Sequence, residues 1–167
     1  ATAALVLADG SVFWGHGIGA AGKAIGEVCF NTSITGYQEI LTDPSYAGQI
    51  ITFTFPHIGN VGTNDEDVEA ASPVARGLVL RSAISEASNW RASQTLDSWL
   101  TSHGIVGNAG VDTRKLTRRI RDGGAPNGTI CHAPDGPFDM DALLAEAGAW
   151  PGLEGMDLAG EVTCRQT

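Results

Sequence analysis

The sequence predicts a mixed α+β domain with most of its strands in the first half and most of its helices in the second. Short apolar runs between turn residues dominate the first half, and longer runs with apolar residues three and four apart follow in the second. Glycine supplies 22 of the 167 residues, which favours many turns. Because strands and helices do not alternate regularly, the pattern favours a layered β/β/α architecture over a doubly wound sheet.

The strands are predicted from short apolar or β-branched runs that end at turns. Asp9-Gly10 separates two apolar runs and predicts a hairpin with a two-residue turn, since such a turn requires positive φ. One strand is predicted over residues 27–31 and another over residues 49–55, which ends at Pro56. Shorter strands are predicted over residues 77–81, 105–106 and 129–131.

One helix is predicted from the spacing of its apolar residues, and a shorter one from the turn that ends it. Leu96, Trp99 and Leu100 fall at i, i+3 and i+4 between residues 93 and 103, and Gly104 ends the pattern. A shorter helix is predicted over residues 36–41, ahead of an Asp-Pro pair that cannot continue it.

Two further helices are predicted from their capping residues. Asp112 is a favourable N-cap for a helix over residues 113–121. Asp139 or Asp141 caps the last helix, which Gly148 is expected to close.

The charge balance excludes two classes of partner. The formal net charge is −9, which argues against nucleic acid and anionic lipid, because both attract clustered cations. The charges are unevenly spread, with acidic residues concentrated over 65–69 and basic residues over 114–121. We interpret both runs as solvated surfaces. The basic block comprises Arg114, Lys115, Arg118, Arg119 and Arg121.

The cysteines and the hydropathy pattern predict a cytoplasmic protein. Cys29, Cys131 and Cys164 are odd in number and lack C-x-x-C spacing, so they predict neither a disulfide framework nor a zinc site. No run reaches the ~18 apolar residues of a membrane span, and the N-terminus has no signal pattern.

A glycine-rich stretch, Gly17 to Lys23, resembles two phosphate-binding motifs. It spells G-x-G-x-x-G and falls one residue short of the phosphate loop, but Ala24 supplies no hydroxyl for Mg²⁺. Both motifs also need a helix that starts within the glycines, whereas residues 24–30 predict a strand. We therefore favour a turn between strands and keep a nucleotide-binding enzyme as the weaker alternative.

The sequence offers no self-contained catalytic group. Cys29 and Cys131 fall inside predicted strands and Cys164 in a polar tail, so none has the tight strand-to-helix turn of a nucleophile. The four histidines are scattered and show no metal-ligand spacing. We predict no catalytic residue and no metal site.

Two polar stretches remain that packing alone does not explain. Residues 32–46 (TSITGYQEILTDPSY) and 55–67 (FPHIGNVGTNDED) are punctuated by glycine and proline and contain aromatic residues. Such composition is typical of exposed loops that contact a partner. Ser45 follows Asp43-Pro44 at a turn and is expected to present its hydroxyl outward, although a plain turn serine is the alternative.

At these stretches the sequence resembles the small chain of glutamine-hydrolysing carbamoyl-phosphate synthase. The resemblance extends along nearly the whole chain, and long strings in a fixed order are far more specific than a short motif. The matching strings are residues 5–10, 26–28, 30–33, 35–46, 56–62, 112–118 and 151–158.

The resemblance implies a two-domain small subunit whose N-terminal domain is a layered β/β/α unit of the swivelling type. This domain is expected to dock on the large subunit, which uses ATP and Mg²⁺, while it binds no cofactor itself. The second domain is expected to be a glutaminase with a Cys-His-Glu site, and the pair to make carbamoyl phosphate from glutamine, bicarbonate and ATP. The two subunits are expected to form a heterodimer. Their product is expected to serve pyrimidine and arginine biosynthesis.

The resemblance also assigns one ligand contact and one boundary. In the family the serine of the TDPSY turn contacts bound glutamine, and here that serine is Ser45. The chain is predicted to stop where the glutaminase domain begins, so the fragment alone should be inactive. We predict one domain over residues 1–167, with a core over about residues 1–150 and the start of a connection over 151–167. For the large subunit, Arg114, Arg118, Arg121 and residues 57–64 are candidate contacts only.

A third hypothesis is a free-standing interaction domain that uses the same fold without a synthase. Under this hypothesis no glutaminase domain would follow Thr167, whereas the favoured hypothesis requires one.

Overall fold

The computed structural model describes residues 1–60, 62–64, 66, 72–84 and 93–158 of the chain. Within these residues seven strands form: β1 Ala3–Leu7, β2 Val12–Gly19, β3 Gly22–Asn31, β4 Gln49–Phe53, β5 Gly77–Val79, β6 Val106–Ala109 and β7 Asn127–His132. The helices are α1 Tyr37–Thr42, α2 Leu96–Ser102, α3 Thr113–Gly123 and α4 Met140–Ala149, and a short 3-10 helix spans Pro44–Tyr46. The mixed class, strand-rich first and helical later, is confirmed.

The seven strands close into one barrel in the order β1-β2-β6-β5-β4-β3-β7. The pairs β3–β4, β4–β5 and β5–β6 are parallel and the remaining pairs are antiparallel. Parallel neighbours require crossover connections, and α1 and α2 lie in two of them. The sequence predicted both helices and the strands on either side of them, but not that these strands pair in parallel.

The barrel interior is one of two apolar clusters. It joins residues from adjacent and opposite strands, among them Leu5, Leu7, Val28 and Ile130. Leu116 and Ile120 of α3 belong to the same cluster, so α3 packs against the barrel core. Full burial of each such aliphatic side chain contributes about 1.5–3 kcal/mol.

The second cluster lies between the parallel strands and the crossover helices. Ile51 of β4 and Leu78 of β5 pack there with Leu41 of α1 and Leu100 of α2. Their chain neighbours in the strands, such as Ile50, belong to the interior cluster instead, because successive strand residues face opposite sides of the sheet.

The hairpin at Asp9-Gly10 is confirmed, but its predicted two-residue turn is wrong. Gly10 N donates to Leu7 O at 2.9 Å and Leu7 N donates to Ser11 O at 2.8 Å, which leaves a three-residue loop. Gly10 has φ of 86°, whereas no residue other than glycine has positive φ within the described residues. This is a turn closed by a glycine bulge, which needs positive φ at one position only.

The helix caps agree with the sequence in two cases. Asp112 accepts a hydrogen bond from Lys115 N, and Asp139, not Asp141, accepts one from Ala142 N, both at 3.0 Å. The predicted closure at Gly148 is wrong, because α4 continues to Ala149.

The chain after α4 folds back on the barrel. Asn127 donates from its amide to Trp150 O at 2.9 Å, and Leu153 packs against Gly48. The predicted boundary at residue 150 stays a prediction, and residues 159–167 lie outside the described residues.

Candidate functional site

Ser45 lies at the centre of an exposed, hydrogen-bonded turn between α1 and β4. Asp43 accepts a hydrogen bond from Ser45 N at 2.9 Å, and Pro44 fixes φ at the first position of the 3-10 helix. Tyr46 N donates to Asp43 O and Ala47 N donates to Pro44 O, which closes the turn. Ser45 is exposed, and its hydroxyl has no hydrogen-bond partner among the described residues.

Asn31, the last residue of β3, joins this turn to a second exposed loop. Its side-chain amide donates to Tyr46 Oη at 2.9 Å, and its Oδ1 accepts from Ser33 N at 2.8 Å. Its backbone oxygen also accepts from Thr54 N at 3.1 Å. One asparagine therefore fixes the start of loop 32–36 beside the Ser45 turn.

The loop at residues 32–36 carries an exposed apolar side chain. Ile34 is 63% exposed, the most of the large hydrophobic residues described. Its neighbours Thr32, Ser33 and Thr35 are exposed as well. Together with Ser45 they form a polar surface with one apolar projection. Such a surface can donate or accept hydrogen bonds, but its groups do not supply a nucleophile or a base.

Residues 32–46 are not all at the surface, because part of α1 packs in the interior of the domain. Tyr37 and Gln38 are buried at 2% and 3% exposure. Tyr37 Oη donates to Gly62 O, and Gln38 exchanges two hydrogen bonds with the backbone of Asn64, at 2.6 and 3.0 Å. These bonds attach the second polar stretch to α1.

The expectation that residues 55–67 form an exposed loop is therefore wrong for its described centre. Ile58 is 2% exposed and packs in the outer apolar cluster, and Thr63 is fully buried. Thr63 O accepts hydrogen bonds from Ser93 N at 2.8 Å and from Ser93 Oγ at 3.0 Å. His57 and Glu66 are exposed, and residues 61, 65 and 67 lie outside the described residues.

Gly17 to Lys23 is a corner between β2 and β3, as the favoured interpretation predicted. The residues after the glycines form strand β3, so no helix directs its N-terminal N–H groups at this corner. A side chain at Gly17 would collide with the His132 ring, and one at Gly19 with Ile105 O. Lys23 bonds to Glu146 of α4, and that bond raises the pKa of Lys23. Gly17 and Gly19 therefore have packing roles, and Lys23 joins the corner to α4.

The two described cysteines lie in strands, as predicted. Burial raises the pKa of the Cys29 thiol to about 12, and burial also raises the pKa of the Cys131 thiol. A thiol that stays protonated is a poor nucleophile. Cys164 lies outside the described residues.

No group of three metal-ligating side chains clusters among the residues that the structure describes. Across the same residues, every helix is too short or too polar to cross a membrane.

The predicted basic block lies on the outer faces of α3, with each of its members exposed. Arg119 forms an ion pair with Asp9, and the Lys115 ammonium lies 5.8 Å from the centre of the Phe13 ring. Arg114, Arg118 and Arg121 instead line a groove with Arg81, which follows β5. Sequence reasoning missed Arg81 and Asn31, because only the tertiary fold brings each to its partners.

Comparison with known proteins identifies relatives along almost the whole chain. Residues 5–130 match the family described as carbamoyl-phosphate synthase small chain, CPSase domain. The carbamoyl phosphate synthase small chain of Bradyrhizobium diazoefficiens is 63% identical over 169 residues, covering 99% of this chain and 43% of that relative. Those of Mesorhizobium japonicum and Ruegeria pomeroyi are 60% and 59% identical, with the same coverage. The chain thus spans less than half the length of these relatives.

The fold and the exposed turns define a mixed α/β barrel domain whose candidate site is a surface hydroxyl on a fixed turn. The chain belongs to the carbamoyl-phosphate synthase small chain family, and the resemblance found in its sequence is confirmed.

Proposed function

We propose that this domain docks on the large subunit of carbamoyl-phosphate synthase in the cytoplasm and contributes Ser45 to a glutamine site. The rest of that site belongs to a glutaminase domain of the same subunit. The whole subunit then hydrolyses glutamine, and the large subunit uses the ammonia with bicarbonate, ATP and Mg²⁺ to make carbamoyl phosphate. This domain binds no cofactor of its own.

One observation carries the proposal for Ser45: a hydroxyl without a partner is presented by a turn that is fixed on both sides. Asp43 and Pro44 fix the backbone of the turn, and the bond from Asn31 to Tyr46 fixes its position on the barrel. A group held in this way loses little conformational entropy when it binds a ligand. A hydroxyl can both donate to a carboxylate and accept from an ammonium group, and glutamine carries both.

The raised pKa values of the two described thiols, Cys29 and Cys131, support the view that neither of them hydrolyses glutamine. Amide hydrolysis by a cysteine needs a thiolate, and Cys29 has a pKa of about 12. We expect the 167-residue domain to show no glutaminase activity.

The test is Ser45→Ala in the full-length small subunit assembled with the large subunit. We expect KM for glutamine to rise about threefold to tenfold, which corresponds to one lost hydrogen bond. Synthesis driven by free ammonia should keep its rate, because it bypasses the glutamine site. Ser98→Ala, at an exposed serine on α2, is the matched control and should change neither. Equal losses with glutamine and with ammonia would remove Ser45 from the glutamine site.

A further inference from the structure

Four arginines from two distant parts of the chain line one surface groove of about 380 Å³. Arg114, Arg118 and Arg121 come from α3, where their spacing of four and three residues places them on one face. Arg81 follows β5, and Thr54, which also lines the groove, follows β4. Because β4 and β5 are parallel neighbours, their C-terminal ends lie at the same edge of the barrel, beside α3. We call this feature the arginine groove.

The concentration of positive charge in the arginine groove is unusual for this chain. The protein has ten lysines and arginines and a net charge of −9, yet four of the ten line a single groove. Like charges gathered on one surface repel each other, and an anion that binds among them relieves that repulsion. The net charge of the chain therefore does not explain the groove.

Three of these four arginines have no carboxylate partner among the residues that the structure describes. Among the described residues, Arg81, Arg114 and Arg118 form no ion pair. Arg121 bonds its chain neighbour Asp122 at 3.1 Å, and both side chains are exposed. By contrast, Arg119 on the adjacent face of α3 is paired with Asp9. The groove thus keeps guanidinium groups available for an external ligand.

The geometry favours a ligand with several carboxylates. A guanidinium group binds a carboxylate through two parallel hydrogen bonds, and the groove offers three such groups that form no ion pair among the described residues. A single small anion in an open groove would be weakly held, since water and salt screen exposed charges. A protein segment also excludes water as it docks, which strengthens each ion pair.

We propose that the arginine groove is a docking surface for an acidic segment of the large subunit. The inference rests on the proposed function, because that function requires a large-subunit partner, and it adds the place and the chemistry of the contact. Arg81, Arg114 and Arg118 make the ion pairs, and Thr54 and Thr117, which also line the groove, offer hydroxyl groups to the same segment.

The experiment measures binding of the full-length small subunit to purified large subunit by calorimetric titration. The variants are Arg118→Gln and Arg81→Gln, which remove charge from the groove on two different elements. Arg119→Gln is the matched control, since it removes one charge from the adjacent position of α3 but outside the arginine groove. Thermal unfolding of each variant shows whether the fold is retained.

We expect each groove variant to weaken binding about tenfold, whereas the control keeps the wild-type affinity. Added salt should weaken binding of the wild type more than binding of Arg118→Gln, because the variant has fewer charges in the groove for salt to screen. If the wild type binds and all three variants bind equally well, the arginine groove is not the docking surface. If the wild type itself does not bind, both this inference and the proposed docking fall.

A third arm separates the acidic segment from a free anion. Inorganic phosphate is added to the small subunit at matched ionic strength, and the melting temperature is recorded. We expect the melting temperature in phosphate to be no higher than the melting temperature in chloride. A rise that is lost in Arg118→Gln, together with unchanged subunit binding, would define a small-anion site and overturn the proposal.

Discussion

Asn31 donates a hydrogen bond from its side-chain amide to the hydroxyl of Tyr46 at 2.9 Å, and this bond joins the end of β3 to the turn that carries Ser45. The same side chain accepts a bond from Ser33 N, so one residue sets the relative position of two exposed loops. The position of Ser45 thus depends on a residue fourteen places earlier in the chain.

Tyr46→Phe should loosen the Ser45 turn. It removes the acceptor of the Asn31 amide, which should lower the free energy of unfolding by about 1 kcal/mol. In the full-length subunit KM for glutamine should also rise, because Ser45 becomes less well positioned. Urea unfolding and steady-state kinetics measure the two effects.

Tyr37→Phe is the control for this prediction. It removes a bond to Gly62 O elsewhere in the same region and should also cost stability, but it should leave KM for glutamine unchanged. Identical changes in KM for the two variants would show that the bond from Asn31 to Tyr46 does not position Ser45.

The N-cap of α4 can be tested by comparing two aspartates in its first turn. Asp139 accepts from Ala142 N, whereas Asp141 only adds a negative charge near the helix start. We expect Asp139→Ala to lower the free energy of unfolding by about 1 kcal/mol and Asp141→Ala by about 0.5 kcal/mol or less. Urea unfolding checks this order. A larger loss of unfolding free energy for Asp141→Ala than for Asp139→Ala would show that Asp139 is not the N-cap.

Cys29 should make stability fall in alkaline solution. Its pKa is raised to about 12 by burial, so the folded protein keeps a proton that the unfolded chain releases near its ordinary thiol pKa. The stabilising contribution is therefore complete at neutral pH and is lost as pH rises from about 9 towards 12. Cys29→Ala should reduce the loss of unfolding free energy between pH 8 and pH 10 that the wild type shows. An unchanged pH dependence would mean that the thiol is not shielded from water.

The glycine corner between β2 and β3 should respond to substitution as a packing element. A side chain at Gly19 would collide with Ile105 O. The new residue would also have to adopt a φ of 68°, which residues other than glycine rarely do. Gly22 has φ of 133° but open space around it, so Gly22→Ala should lower the melting temperature less than Gly19→Ala. ATP should not raise the melting temperature of the wild type. A rise with ATP that Gly22→Ala abolishes would support the nucleotide-binding alternative instead.

The sequence predicts the elements whose signals are local. Asp112 and Asp139 stand directly before their helices, and the strand at residues 49–53 is β-branched and ends near Pro56, so all three were found. The hairpin was found for the same reason, although Asp-Gly alone does not distinguish a two-residue turn from a three-residue loop with a glycine bulge.

The remaining features depend on contacts between distant residues. Barrel closure requires β1 to pair with β7, and no short window of sequence contains that pairing. Ile58 and Thr63 looked like loop residues, but bonds from Tyr37 and Gln38 draw their loop against α1. Arg81 joins the arginine groove only because β5 ends beside α3. In each case the tertiary fold decides the outcome.

The most direct test of the account is a calorimetric titration of the 167-residue domain into purified large subunit of carbamoyl-phosphate synthase. The account predicts saturable binding with one domain per large subunit, in the absence of any glutaminase domain. The absence of measurable heat and of complex formation at micromolar concentrations of a folded domain would contradict the claim that this domain carries the docking function.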